Sequence, residues 1–301
     1  MAVADMKKTI IIAGLALAVL ASCNKEKVES GAPVTLSVAV SGEGLLTRAD
    51  YDVQDIRLEA GESFNAYLTN CTRSEALFTM NADEVTATPN PQPFVMMERS
   101  AQVEAVYPAT ATKTTASWTV AADQTTDAGY KACDLMYASA PIAASGRANI
   151  TFHHRMAKII VKATAGPGIN EIRDIRIIKG FRTVNITGTT LMPGTTLADD
   201  ITPAAFVNIL EGGTSGAVDC AALLPPQTVD AGTLVADRFL EVVTNKGTCW
   251  FNLRTTSGGS VTFESGKSYT LVLPVDTDII GLTATITPWV RTADQVVFTE
   301  L

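Results

Sequence analysis

The chain has 301 residues, a formal net charge of -8 and only 6% aromatic residues, which leaves room for two ordinary domains or one large β domain. Nucleic-acid binding is disfavoured, because phosphate recognition needs clustered Lys and Arg, and the 23 basic residues here are scattered among 31 acidic ones. Aliphatic, Thr-rich and Gly-rich composition favours many strands joined by turns.

The chain begins with a leader pattern. Lys7 and Lys8 precede the uncharged run Thr9 to Ser22, and Leu20-Ala21-Ser22-Cys23 closes it. A basic start, an apolar stretch of about a dozen residues and small residues before a cut describe a secretory signal, whereas a membrane span needs about 20 apolar residues. A Cys at the cut makes this a lipoprotein signal over residues 1–22, with Cys23 as the lipidated first residue of the mature chain. Beyond it, no stretch is long and apolar enough to span a bilayer.

Residues 23–48 read as a charged tether followed by a strand. Val34, Leu36, Val38 and Val40 alternate with smaller or polar residues, the period-two signature of a half-buried strand. Ser41-Gly42-Glu43-Gly44 then forms a turn, and Arg48-Ala49 lies in the connector beyond it. Small-residue connectors are where proteolytic nicking concentrates, although taken alone Arg48 reads as an ordinary solvated arginine.

Further strands are expected at Ser63 to Leu68, Phe94 to Met97 and Val103 to Tyr107, with Thr88-Pro89-Asn90-Pro91-Gln92-Pro93 as a breaker. Asn149 to Ala163 reads as one long strand with Ala157, Ile159, Val161 and Ala163 inward and Lys158 and Lys162 in solvent. Ala165-Gly166-Pro167-Gly168 ends that strand and marks the expected boundary between domains at 49–165 and 166–301. The second half continues with Ile175 and Ile177, Phe239 to Val243, Cys249 to Leu253 and Tyr269 to Val275. No run has sustained helical periodicity, so the expected class is an all-β sandwich.

Catalytic chemistry finds little support. His153 and His154 are neighbours on a strand and point to opposite faces, so they cannot share one ion. Hydrolase, zinc-protease and nucleotide-binding motifs are absent, and no CxxC spacing suggests a zinc ribbon, so neither metal nor cofactor is expected. Of the cysteines after Cys23, namely Cys71, Cys133, Cys220 and Cys249, most are expected to be buried thiols, since Cys packs as a small hydrophobe.

Several stretches in order along the chain resemble the fimbrillin family of lipoprotein-precursor pilins. They are Leu20-Ala21-Ser22-Cys23, Ala105-Val106-Tyr107-Pro108, Asp134-Leu135-Met136-Tyr137-Ala138, Phe152-His153-His154-Arg155-Met156-Ala157-Lys158, Leu223-Leu224-Pro225-Pro226-Gln227, Gly266-Lys267-Ser268-Tyr269 and Ile286-Thr287-Pro288-Trp289. The resemblance implies two transthyretin-like β-sandwich domains with Greek-key-type connections and a non-enzymatic, adhesive pilus subunit at the bacterial outer membrane. It implies lipidation at Cys23, cleavage by an Arg-specific protease between Arg48 and Ala49, and removal of the strand carrying Val34, Leu36, Val38 and Val40. The vacated groove would accept a donor strand from another pilin subunit. The matching donor stretch here is Ile286 to Leu301, with Val290, Val296, Val297 and Phe298 as its apolar residues, interrupted by Arg291-Thr292-Ala293-Asp294. A host or bacterial surface molecule would be the adhesion target.

Two other readings are a surface glycan-binding lipoprotein, using Trp118 or Trp250 as a sugar platform, and a carboxylate-dependent hydrolase on a β scaffold. Arg48 cleavage and polymerisation separate the pilin from the first, and two converging acids in a cleft would favour the second.

Overall fold

A computed structural model of the chain describes residues 33–41, 57–91, 95–97, 100–188, 190–194, 201, 217–231, 237–253, 259–275 and 283–288. The first half holds β1 (Thr35–Val40), β2 (Ser63–Leu68), β3 (Glu75–Met80), β4 (Thr86–Asn90), β5 (Ala101–Tyr107), β6 (Ser117–Thr119), α1 (Asp127–Cys133), β7 (Met136–Ile142) and β8 (Arg147–His154). The second holds β9 (Ala157–Ala165), β10 (Ile172–Ile177), β11 (Thr183–Thr187), β12 (Thr190–Pro193), β13 (Ala217–Leu224) and β14 (Gln227–Ala231). It continues through β15 (Arg238–Thr244), β16 (Gly247–Asn252), β17 (Gly259–Phe263), β18 (Lys267–Val275) and β19 (Thr283–Pro288). The fold is all-β apart from the single short helix among the described residues.

Seven strands form a sheet that closes on itself in the order β1-β4-β3-β2-β5-β7-β8. Strands β2, β3 and β4 follow one another antiparallel, and β5 returns to lie beside β2, which is a Greek key. The inner residues of this barrel make one hydrophobic cluster, with Phe64 stacked on Phe78 at 5.8 Å and edge-on to Phe152 at 5.1 Å. A second cluster gathers β9, β13 and β18 in the sheet β13-β9-β18-β19, together with β10, β15 and α1. Both faces of β13 are covered, since Cys220, Ala221, Ala222, Leu223 and Leu224 are all fully buried.

Several expectations need correction. The stretch from Asn149 to Ala163 is two strands, because β8 ends at His154 and β9 starts at Ala157 in a different sheet. Ala163, Ala165 and Ile169 pack in the second cluster, which also takes in Val120, Tyr130, Cys133 and Leu135 from ahead of β8. Lys158 is 1% exposed although Lys162 is in solvent. Its register partners are Leu223 on β13 and Ser268 on β18, both buried, so the start of β9 is covered on its second face as well. Gln124 explains part of that cover, because its side-chain amide accepts from Leu223 N–H at 2.8 Å and donates to Leu223 C=O at 3.0 Å. It thus occupies the outer edge of β13 as a neighbouring strand would.

The expected breaker also differs, since Thr88, Pro89 and Asn90 are part of β4. β1 joins β4 only at Thr86 and Ala87, so the missing N–H of Pro89 costs no bond in that ladder. Of the expected strand Phe94 to Met97, Val95 and Met96 make isolated bridges to Pro33 and Cys71, and Phe94 lies outside the described residues.

Candidate functional site

The candidate site is β1 and the slot it fills. β1 runs parallel to β8, pairing from Thr35↔Arg147 to Val40↔Phe152, and antiparallel to β4 on its other edge. Its alternation places Val34, Leu36, Val38 and Val40 inside the barrel at 2%, 0%, 8% and 8% exposure, while Ala39 faces out. On the inner face Leu36 stands between Ala87 and Ala148, Val38 beside Ile150 and Val40 beside Phe152. Small partners opposite Leu36 leave space for its isobutyl group, and larger ones flank the shorter valines. The backbone is fixed by bonds from Thr35 N–H to Gly146 C=O, Val38 N–H to Val85 C=O and Ser41 N–H to Phe152 C=O, at 2.7 to 3.0 Å.

Burial of these four side chains stabilises the strand by about 6–12 kcal/mol, an upper range taken from about 1.5–3 kcal/mol each. The same numbers describe what its absence would expose: two unpaired strand edges, on β4 and β8, and an apolar slot four side chains long. In strand addition generally, an open edge of this kind supplies main-chain bonds for affinity and pockets for alternate side chains for register.

In sequence, β1 is joined to the rest of the barrel through residues 41–62, which carry Arg48 and Ala49. Cys23, Arg48 and Ala49, and the donor residues Val290, Val296, Val297 and Phe298, lie outside the described residues. The start of the expected donor stretch does not: Ile286, Thr287 and Pro288 are in β19, where Ile286 pairs with Tyr269 of β18. That part is therefore engaged within its own sheet.

Other polar groups have structural partners. His153 is exposed and His154 buried, with His154 Nδ1 at 2.8 and 3.1 Å from the carboxylate oxygens of buried Asp134. This pair ties the end of β8 to the entry of β7. Lys131 of α1 lies among Glu59 at 2.7 Å, Asp127 at 3.2 Å and Glu62 at 3.8 Å. Burial works against its charge, but these carboxylates together overcome that and hold the ammonium above the usual lysine range. Burial pushes the Glu62 carboxyl up, offset in part by the Glu59 N–H, by Lys131 and by the Tyr107 hydroxyl that donates to it at 3.1 Å. No signal in the sequence marked this cluster, since its members are distant in the chain.

Among the described residues no group of three or more His, Cys, Asp or Glu is placed to hold a metal ion. Cys71, Cys133, Cys220 and Cys249 are free thiols, of which Cys133 and Cys220 are buried. Trp118 is half-buried and donates through its indole N–H to Cys133 C=O at 3.0 Å. Trp250 is exposed, but the Arg238 guanidinium sits over its ring at 4.1 Å and Glu241 takes its N–H at 3.1 Å, so neither tryptophan offers a bare platform.

The described residues form an all-β protein whose first strand fills a slot in a closed barrel. A family model described as fimbrillin-like matches residues 47–289, and the chain belongs to that family. It is thereby a pilin-type adhesion protein of the bacterial cell surface, structural and not enzymatic. Among solved structures it is similar to a cell adhesion protein candidate from Bacteroides uniformis, at 15% identity and TM-score 0.62, over 86% of this chain and 99% of that one. A second cell adhesion protein candidate, from Bacteroides ovatus, is 17% identical with TM-score 0.59 over 90% and 99% of the two chains. At these identities the likeness is one of fold. No curated protein matches the chain in sequence.

Proposed function

We propose that this protein is exported as a lipoprotein on Cys23, cut between Arg48 and Ala49, and assembled with other pilin subunits by strand exchange at the bacterial outer membrane. The observation that carries the reading is the noncovalent seating of β1. It closes the barrel as the parallel neighbour of β8 and fills it with four alternating apolar residues. A cut after Arg48 would leave it attached by those contacts alone. An incoming donor strand could replace it residue for residue, and retention of β1 would keep the precursor monomeric. The donor is proposed to come from residues 289–301, with Val290, Val296, Val297 and Phe298 taking the positions of β1's inward residues. We also propose two structural units, one around each hydrophobic cluster, with α1 and Val120 of the first half packed in the second.

The test is the N-terminus of the protein sheared from intact cells. The reading predicts a shed form beginning at Ala49, and fatty-acid labelling of unprocessed protein that Cys23→Ala abolishes. A shed form still carrying residues 33–41, or undiminished labelling of the variant, contradicts it.

A further inference from the structure

The slot that β1 fills is graded in size along its length. On the inner face of β8 the side chains grow from Ala148 through Ile150 to Phe152, all buried. Those of β1 shrink against them, with Leu36 beside Ala148, Val38 beside Ile150 and Val40 beside Phe152. β4 adds a second small neighbour where the largest of these β1 side chains stands, since Ala87 is the partner of Leu36 on that edge and is fully buried.

Alternation and grading exclude different errors of pairing. A slip of one residue turns Thr35, Ser37 and Ala39 toward the barrel interior, so the period-two pattern forbids it. A slip of two residues keeps the apolar face inward, and alternation has no power against it. Grading does: one such slip brings Leu36 beside Ile150, where its extra methylene overpacks, and Val34 between Ala87 and Ala148, where a methylene is missing. The opposite slip brings Val38 between the two alanines and leaves the same void.

We propose that Ala87 and Ala148 form the selecting pocket of the slot. It takes an extended segment whose second inward residue is large and unbranched at Cβ, as Leu36 is, with smaller apolar residues after it. Segments of the same composition in another order are rejected, because they leave a void at one position and a clash at the next. Main-chain bonds are alike at every two-residue step, so this pocket fixes the register that they leave free. The selection rests on the proposed strand exchange, since a slot that never opens selects nothing.

The experiment is competition for the slot. The chain lacking its leader is cut with an Arg-specific protease, and a fluorescent peptide of residues 33–41 is exchanged into it. Unlabelled peptides then displace the label, followed by fluorescence anisotropy. The native peptide is compared with an isomer carrying Leu36→Val and Val38→Leu, which has the same composition and differs in order alone. The isomer is expected to need at least about tenfold more peptide for half displacement, from one void and one overpacked site. Reversing the grading in the chain with Ala148→Ile and Ile150→Ala should invert the preference. The uncut chain gives a second reading: adding Leu36→Val and Val38→Leu to those two substitutions should raise the melting temperature above that of the β8 pair alone. If the label enters and the two peptides compete equally, the pocket is overturned and strand exchange stands. A label that never enters the cut chain overturns strand exchange and, with it, the selection. No inversion and no gain in melting temperature in the reversed chain would also overturn the role of Ala148.

Discussion

Among the described residues each half of the molecule contains one parallel strand pair in an otherwise antiparallel setting, and the two pairs are built differently. In the barrel β1 lies beside β8, whereas in the second half β18 lies beside β9. β18 is an interior strand, fixed by β9 on one side and β19 on the other, and it follows β17 after the short turn at Glu264 to Gly266. β1 is also flanked on both sides, but it is the first described strand, and its chain connection to β2 runs through more than a dozen residues that include Arg48. Taking β18 out would tear the second sheet in two along a continuous chain. Taking β1 out, once the connector is cut, would leave the six remaining strands in their order with a slot between β4 and β8. On the proposed function, similar burial serves opposite roles: one strand would be a permanent centre and the other exchangeable.

The largest effect that sharpens this comparison is expected from Leu36→Asp. It places a charge at a fully buried position of β1 and should destabilise the barrel by about 4 kcal/mol or more. Trp118 packs against the second cluster and Trp250 stands on β16, so with Trp289 replaced by Phe the tryptophan fluorescence reports on the second half. Denaturant unfolding followed by circular dichroism should show an early transition in the variant that fluorescence does not follow. If both signals shift together by the same amount, the two cores unfold as one unit and the distinction between the strands loses its energetic basis.

Asp134→Ala is expected to cost about 1–3 kcal/mol, since it leaves the buried His154 imidazole without its carboxylate at the junction of β7 and β8. The same unfolding assay would detect it, and an unchanged midpoint would mean the pair does not brace the wall against which β1 lies.

Gly266→Ala tests the permanent strand instead. Gly266 has φ of +68°, and a Cβ there would stand 2.9 Å from the His154 carbonyl oxygen, so the turn into β18 is shaped against the end of β8. A loss of about 1–2 kcal/mol is expected in the fluorescence-reported transition. No loss would show that the turn yields freely.

The smallest effect is the alkaline limb of stability. Lys131 has its pKa raised above the unperturbed 10.5, so the stability from its charge is fully present below 10.5 and is lost as pH rises through the higher folded value. Glu62 runs the other way near acid pH: its raised carboxyl pKa favours the folded state below the unperturbed 4.5, and that contribution is lost as pH rises through the folded value. Lys131→Met should flatten the decline above pH 10.5 relative to the parent chain, measured as the difference between their melting temperatures across that range. Parallel declines would show that the cluster does not link α1 to the turn before β2.

The parts of this architecture visible in the sequence are those set by one strand's own alternation. Val34, Leu36, Val38 and Val40, like Ile159 and Val161, sit inside as the period-two pattern requires. Lys158 follows the same pattern and still misleads, because its burial comes from Leu223, Ser268 and the Gln124 cover, all distant in sequence. The seven residues of α1 are too few for a periodic signal, although Thr126 caps Gly129 N–H and Asp127 and Lys131 suit its two ends. The break at Arg155-Met156 was hidden for a related reason, as apolar alternation on both sides masks a change of sheet. The β1 slot was half legible: its apolar face could be read, but the parallel partner and the closure of the barrel depend on pairings across the whole first half.

The most direct test of the central claim follows the mass of β1 through assembly. Protein lacking the leader is cut with an Arg-specific protease, separated by size with light scattering, and each fraction is weighed by mass spectrometry. The account predicts that cut monomers retain the fragment carrying residues 34–40, that oligomers form only after the cut, and that these oligomers lack the fragment. Oligomers that still hold the fragment, or uncut protein that assembles equally well, would contradict it.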